Sequence, residues 1–341
     1  MLSERQKLIL SAIVDDYIRS AEPVGSRTIS KRGDVGFSPA TIRNEMSDLE
    51  ELGYLEQPHT SAGRIPSHKG YRYYVDHLVK KANLSAQELQ VIKTFFAEKL
   101  QEMEQVLHHT ATILSQLTNY TSIVLGPELM NTTLKHLQIV PLNESSAVAI
   151  VVTNTGHVED KVVKIPEGVS AAEIEKVVAI LNAKLAGVPL LHFKSKLYSE
   201  IASEMSKYVS QYEELIGMIE YVLQDNQEDR VYVSGTTNML SLPEFKDVDK
   251  LKGILQLLDE THTLVKLVSS PTEGIQVRIG TENSVEAINS CSLITASYSV
   301  DGKPLGTIGI LGPTRMEYGK VISLLDHLSK DLTVMLARWY K

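Results

Sequence analysis

The sequence predicts an α+β, multidomain protein: an N-terminal winged helix-turn-helix, an antiparallel sheet with helices further along, and a helix-rich insertion within that sheet. Three observations carry the prediction. The first eighty residues read as three capped helices followed by a β-hairpin. Strand-like apolar runs with turn signals occur near 135–165 and again near 275–311. Between them, 192–265 is mostly helical in pattern, a gap that consecutive βα units would not leave, so the two strand groups are expected to form one interrupted sheet.

Ser3 and Gln6 form a capping-box pair that opens a helix through Arg19, with Leu10, Ile13, Val14, Tyr17 and Ile18 on one face. The stretch Ala21–Gly25 breaks it, and Ser26 is expected to cap a short second helix, Arg27 to Arg32, ended by Gly33. Ser38 is a preferred cap and Pro39 fits a first helical turn. The third helix should therefore run to Leu52, with Ile42, Met46 and Leu49 inward and Gly53 as its stop. Strands Tyr54–Gln57 and Arg64–Pro66 flank a polar tip, His59–Gly63. Ser67 starts a further helix through Leu78. After a polar break near Asn83, a long helix is expected from Ser85 to about Leu117.

Beyond it, strands are expected at Leu134–Leu142, Ala147–Thr153 and His157–Ile165, the last two joined by a turn at Asn154–Gly156. Ser170 and Glu173 cap a helix that ends at Gly187. Residues 196–225 are helical, Val231–Val233 is a strand, and a helix follows from about Val248 to Leu258. Strands Ile275–Ile279, Leu293–Val300 and Leu305–Leu311 come next, the last two turned by Asp301-Gly302, before a final helix from about Glu317 to Trp339.

With 43% hydrophobic and 22% charged residues, the 341-residue chain has the make-up of a globular protein of two or three domains. Its longest apolar run, Ala147 to Val152, is far below the roughly 18 residues of a membrane span. Asp15 and Asp16 interrupt the N-terminal apolar stretch before it could act as a secretory signal. One cysteine, Cys291, excludes an internal disulfide framework, and no zinc spacing occurs, so the expected compartment is a reducing cytoplasm. The net charge of −8 argues by itself against a nucleic-acid partner. Its distribution argues the other way. Residues 1–80 hold 11 Lys/Arg and 11 Asp/Glu, and the rest of the chain holds the whole excess of acid. Gln57 to Val75 has Arg64, Lys69 and Arg72 and no acid; Ser26 to Arg43 has Arg27, Lys31, Arg32 and Arg43 against Asp34 alone.

Turning Ile42, Met46 and Leu49 inward leaves Ser38, Ala40, Thr41, Arg43, Asn44 and Ser47 as candidate base-reading residues. Short side chains permit entry into a major groove, Arg pairs with guanine, Asn pairs with adenine, and Ala or Thr meets a thymine methyl. Candidate backbone or wing contacts are Arg27, His59, Thr60, Ser61, Gly63, Arg64, Lys69, Tyr71 and Arg72. Enzyme signals are weak. Gly309–Arg315 lacks the lysine and spacing of a phosphate loop, and the Ser/Thr cluster after Val233 has no base near it in sequence. His108 and His109 point about 100° apart on a helix and make a poor metal pair. No catalytic residue, cofactor or metal is expected.

The runs GFSPATIRNEMSDLEELGYLEQPHTSAGRIPSHKGYRYYVD and LGTIGILGPTRMEYGKVI resemble the HrcA family of bacterial heat-inducible transcription repressors, and the similarity extends over essentially the whole chain. The resemblance implies a winged helix-turn-helix DNA-binding domain (1–82), a GAF-like domain in two parts (83–191, with a linker helix, and 266–341) and an inserted dimerisation domain (192–265). It implies a homodimer bound to a double-stranded, inverted-repeat operator upstream of chaperone operons. The GroE chaperonin would keep the repressor active, and heat stress would remove that activity. The alternative is a winged-helix metabolic regulator controlled by a small molecule in the GAF-like domain.

Overall fold

The computed structural model describes residues 2–58, 63–97, 103–126, 133–154, 156, 158–188, 193–209, 211–223, 231–269, 274–300 and 303–337. Helix α1 (Glu4–Ser20) has the reciprocal Ser3–Gln6 capping box, and Ala21 ends it in the left-handed conformation. Helix α2 (Ser26–Ser30) starts one residue earlier than expected: Gly25 is its cap, and Ser26 lies inside the first turn without a capping bond. Helix α3 (Pro39–Glu51) begins as expected, with the Ser38 hydroxyl accepting from the Thr41 N–H at 3.1 Å and Ile42, Met46 and Leu49 buried. Strands β1 (Leu55–Glu56) and β2 (Ile65–Pro66) pair antiparallel, and Val24 and Arg64 form a further antiparallel bridge beside them. Helix α4 (His68–Tyr73), capped by Ser67, passes into one π-helical turn at Tyr74–Leu78.

The long helix expected from Ser85 appears as α5 (Ala86–Ala97) and α6 (Met103–Thr118); 98–102 lie outside the described residues. Strand β3 (Thr121–Leu125) follows, then β4 (Leu134–Pro141), β5 (Ser146–Thr153) and β6 (Val158–Lys164). Helix α7 (Ala171–Leu185) carries the expected Ser170–Glu173 capping box. Short helices α8 (Phe193–Lys196) and α9 (Ala202–Met205), joined by a π-helical stretch at Leu197–Ile201, precede α10 (Tyr212–Leu223). Then come β7 (Val231–Ser234), α11 (Val248–Asp259), α12 (Thr261–Val268), β8 (Ile275–Ile279), β9 (Cys291–Val300), β10 (Lys303–Pro313) and α13 (Tyr318–Leu336). No helix of the described residues is long and apolar enough to cross a membrane.

The strand groups do not share a sheet. A five-stranded antiparallel sheet runs in the order β7-β3-β10-β9-β8, and β4-β5-β6 form a separate three-stranded sheet. The expectation of one interrupted sheet therefore gives way. Strand β3, which the sequence reading does not include, pairs with β10 instead. The outcome follows from burial. All five residues of β3 are buried: Val124 faces α6 and α13, while Ile123 and Leu125 join Leu264, Leu267 and Ile254 from α12 and α11 on the other face. The sheet is covered by helices on both sides. Strands β4–β6 bury one face only, on a second core with α7 to α10 that includes Leu137, Ala149, Leu181 and Ile219. The block 192–265 is thus divided, with its first half packing against β4–β6 and its second half against the five-stranded sheet.

Candidate nucleic-acid interface

Sequence places Ser38 before Pro39, and the consequence is a fixed helix start. The Ser38 and Thr41 hydroxyls are also bonded to each other at 2.9 Å. That start presents Ser38, Ala40, Arg43, Asn44 and Ser47 together on the exposed side of α3, with Thr41 half-buried beside them. Among the described residues, Arg43 makes no ion pair and is free to meet a partner. The positive end of the α3 dipole lies under the same side chains. Arg27 and Lys31 are exposed near the end of α2 and, among the described residues, form no ion pair. Lys31 was visible only as part of a basic run.

Other cations of that run are committed to the fold. Arg32 donates to Asp16 at 2.7 Å, to Asp34 at 2.8 Å and to the Ala12 carbonyl at 3.1 Å. Hydrogen bonding to Asp34 raises the Arg32 pKa further, so this guanidinium locks α1 to the turn ahead of α3. The Tyr74 hydroxyl donates to Asp15 at 2.8 Å on the same side of α1.

The wing candidates separate. His59, Thr60 and Ser61 lie outside the described residues. Gly63 passes so close to the chain before α2 that a Cβ there would meet the Val24 carbonyl oxygen at 2.4 Å. Arg64 donates from Nε to Glu50 of α3 at 2.8 Å, with Nη2 in the same ion pair at 2.7 Å, so it ties the wing to the reading helix. Lys69 is exposed, yet its Nζ donates to the Leu52 carbonyl at 2.8 Å and sits 4.6 Å from the Tyr54 ring centre, closing the C-terminal end of α3.

Two backbone-contact expectations are corrected by burial and pairing. Tyr71 is 1% exposed, its hydroxyl has no partner, and burial pushes its phenol well above the usual range. It packs on Tyr318 of α13, with ring centres 5.9 Å apart, and cannot offer a donor to a phosphate. Arg72 turns toward the five-stranded sheet. Its Nε and Nη2 donate to Glu282 at 2.9 and 2.6 Å, Nη2 also to the Val277 carbonyl at 2.5 Å, and Nη1 to Asp76 at 3.0 Å. Burial raises the Glu282 pKa, but the bonds from Arg72 and the Ile279 N–H outweigh it and hold the carboxyl below its usual range. Hydrophobic periodicity could not reveal either role, because Tyr318, Glu282 and Val277 are more than 200 residues away.

What remains on the reading side is a helix N-terminus with short polar residues, an amide and unpaired cations, which is the chemistry of a major-groove reader. A family model described as "Winged helix-turn-helix transcription repressor, HrcA DNA-binding" matches residues 1–77, and "HrcA protein C terminal domain" matches 104–322. The chain belongs to the HrcA family. Among HrcA relatives, the heat-inducible transcription repressor of Brevibacillus brevis is 59% identical over 341 residues, covering 100% of both chains. That of Halalkalibacterium halodurans is 53% identical, covering 100% of this chain and 99% of its own. The crystal structure of a hypothetical protein at 2.2 Å resolution is 25% identical, with a TM-score of 0.64, over 99% of this chain and 98% of that one. Like the HrcA family at large, the chain is a heat-inducible transcription repressor that binds DNA through its winged helix, not an enzyme. A metabolite-controlled regulator is not favoured by these matches.

Proposed function

We propose that the chain acts in the cytoplasm as a homodimer on an inverted-repeat operator upstream of chaperone operons, where it blocks transcription until heat stress removes its activity. The observation that carries the reading is the uncommitted face of α3: Arg43, Asn44, Ala40 and Ser47 are exposed together at the start of a capped helix. In this reading Arg43 and Asn44 pair with base edges, and Ala40, Thr41 and Ser47 permit close approach, with Ser38 fixing the helix start. Arg27, Lys31 and the tip residues His59, Thr60 and Ser61 meet phosphates. Gly63, Arg64 and Lys69 set the wing against the helix. In this reading the GroE chaperonin keeps the repressor active.

The dimer reading is supported by the outer face of the three-stranded sheet. Val140, Val148 and Val162 lie side by side across it, as do Val152 and Val158, with Val158 and Val162 55% and 66% exposed. These valine rows, on either side of the exposed Gln138 and Asp160, fit a second copy seated on them. We draw the inserted dimerisation unit at 126–230, because β3 and β7 pair directly (Ser122 with Ser234) and the helices and sheet between them have their own core. The helix-covered five-stranded sheet is read as the GAF-like domain. Footprinting of the full-length chain on chaperone promoters, with and without chaperonin, tests the reading. Symmetric protection of two half-sites that strengthens with chaperonin is expected; protection of one half-site by a monomer overturns it.

A further inference from the structure

The winged helix is bound to the body at two separate places. On α4, Arg72 grips Glu282 and the Val277 carbonyl just after and within β8. On α1, the Ile18 carbonyl at the helix end accepts from Arg315 Nη1 at 3.0 Å, while the same guanidinium pairs with Glu244. Between these points the packing is close. A Cβ at Gly280 would lie 2.3 Å from the His68 ring, and one at Gly319 would lie 2.5 Å from the Lys80 carbonyl oxygen. One apolar cluster continues from α1 and α3 through Tyr71 and Tyr74 to Ile279, Tyr318 and Leu328.

We propose that the Arg72–Glu282 clamp, with Arg315 as its second anchor, sets the separation of operator half-sites that the repressor accepts. The proposal rests on the two-fold reading above. A reader hung on a flexible tether reaches many positions, and binding of the second half-site is then spread over many spacings. A reader fixed to its body concentrates the second arm at one spacing and leaves it ineffective at the others. Clamps on two different helices oppose rotation about either one. Arg72 and Glu282 are then positioning residues for spacing. They leave the reading of each half-site to α3.

The test uses the full-length chain and an inverted-repeat duplex recovered by its own selection from a random DNA pool. Further duplexes have the half-site spacing changed by about five base pairs, half a helical turn. A duplex with one half-site serves as reference. The wild type is expected to lose about tenfold or more in affinity when the spacing changes. Glu282→Gln, which alters nothing within the winged helix, should lose less than about threefold. Its single half-site affinity and salt slope should equal those of the wild type. Arg72→Met should behave likewise, and the exchange Arg72→Glu with Glu282→Arg should restore sharp discrimination. If Arg72→Met does not fold, Glu282→Gln carries the test. A Glu282→Gln variant as selective for spacing as the wild type overturns the proposal. So does an Arg72→Met variant whose salt slope falls by about one, the mark of a lost phosphate contact. A wild type indifferent to spacing overturns the two-fold reading, and the proposal with it.

Discussion

Replacing Gly63 by alanine is the smallest change that should disable the wing. The added Cβ would stand 2.4 Å from the Val24 carbonyl oxygen, 2.5 Å from its carbon and 2.9 Å from the Pro23 carbonyl carbon. All three are backbone atoms, so no side chain can rotate to make room. The two chains must separate, and with them go the reciprocal Val24–Arg64 hydrogen bonds, both 2.9 Å long. Each such bond contributes about 1 kcal/mol net, and a buried group left unpaired costs about 1–3 kcal/mol more. Val24 is 4% exposed, so some of that second cost applies. We expect Gly63→Ala to destabilise the protein by about 2–4 kcal/mol. Denaturant unfolding should show a lower midpoint at unchanged slope. Operator affinity, measured by fluorescence anisotropy where the variant is still folded, should fall because Arg64 no longer aligns the wing with Glu50 of α3. A variant with the wild-type midpoint and affinity would refute the idea that this close approach sets the wing.

Other substitutions follow from the same geometry. Asn44→Ala and Arg43→Ala should fold normally and lose about 1–3 kcal/mol of discrimination between operator and scrambled DNA for each lost base pairing; unchanged discrimination removes them from the reading set. Tyr71→Phe deletes a buried hydroxyl that has no partner, so thermal melting should show equal or greater stability and anisotropy should show unchanged operator affinity. Glu88 is held down to about 2 by the Ser85 N–H and by Lys320 of α13. Its stabilising effect is complete above its ordinary value of 4.5 and is lost as pH falls through the folded value. Glu88→Gln should therefore be less stable than the wild type near neutral pH and converge with it near pH 2.

The parts of this fold that could be read from sequence are those set by neighbours in the chain. Ser3 with Gln6, Ser38 with Pro39, and Ser170 with Glu173 announce helix starts because the capping bond spans only three residues. The exposed side of α3 follows from its apolar spacing in the same way. Pairing of distant strands has no such local mark. Strand β3, with its Thr-Ser start, offers a short apolar run and no alternation because both its faces are covered. The ion-pair partners of the cations carry no local mark for a related reason. Arg32, Arg64 and Arg72 stand in stretches poor in acid, but the fold brings them Asp16, Glu50 and Glu282 from elsewhere. Part of that local positive charge is therefore neutralised within the fold, whereas Arg27, Lys31 and Arg43 form no ion pair among the described residues.

The apolar cluster that joins the winged helix to α13 also bears on modularity. The family boundary at residue 77 falls just after Tyr71, which already rests on Tyr318 from the far end of the chain. A fragment cut there would expose the floor of its own reading unit to water. The DNA reader of this repressor is consequently not a portable part, and a chimera built by exchanging residues 1–77 alone would have to acquire a matching floor from its new host.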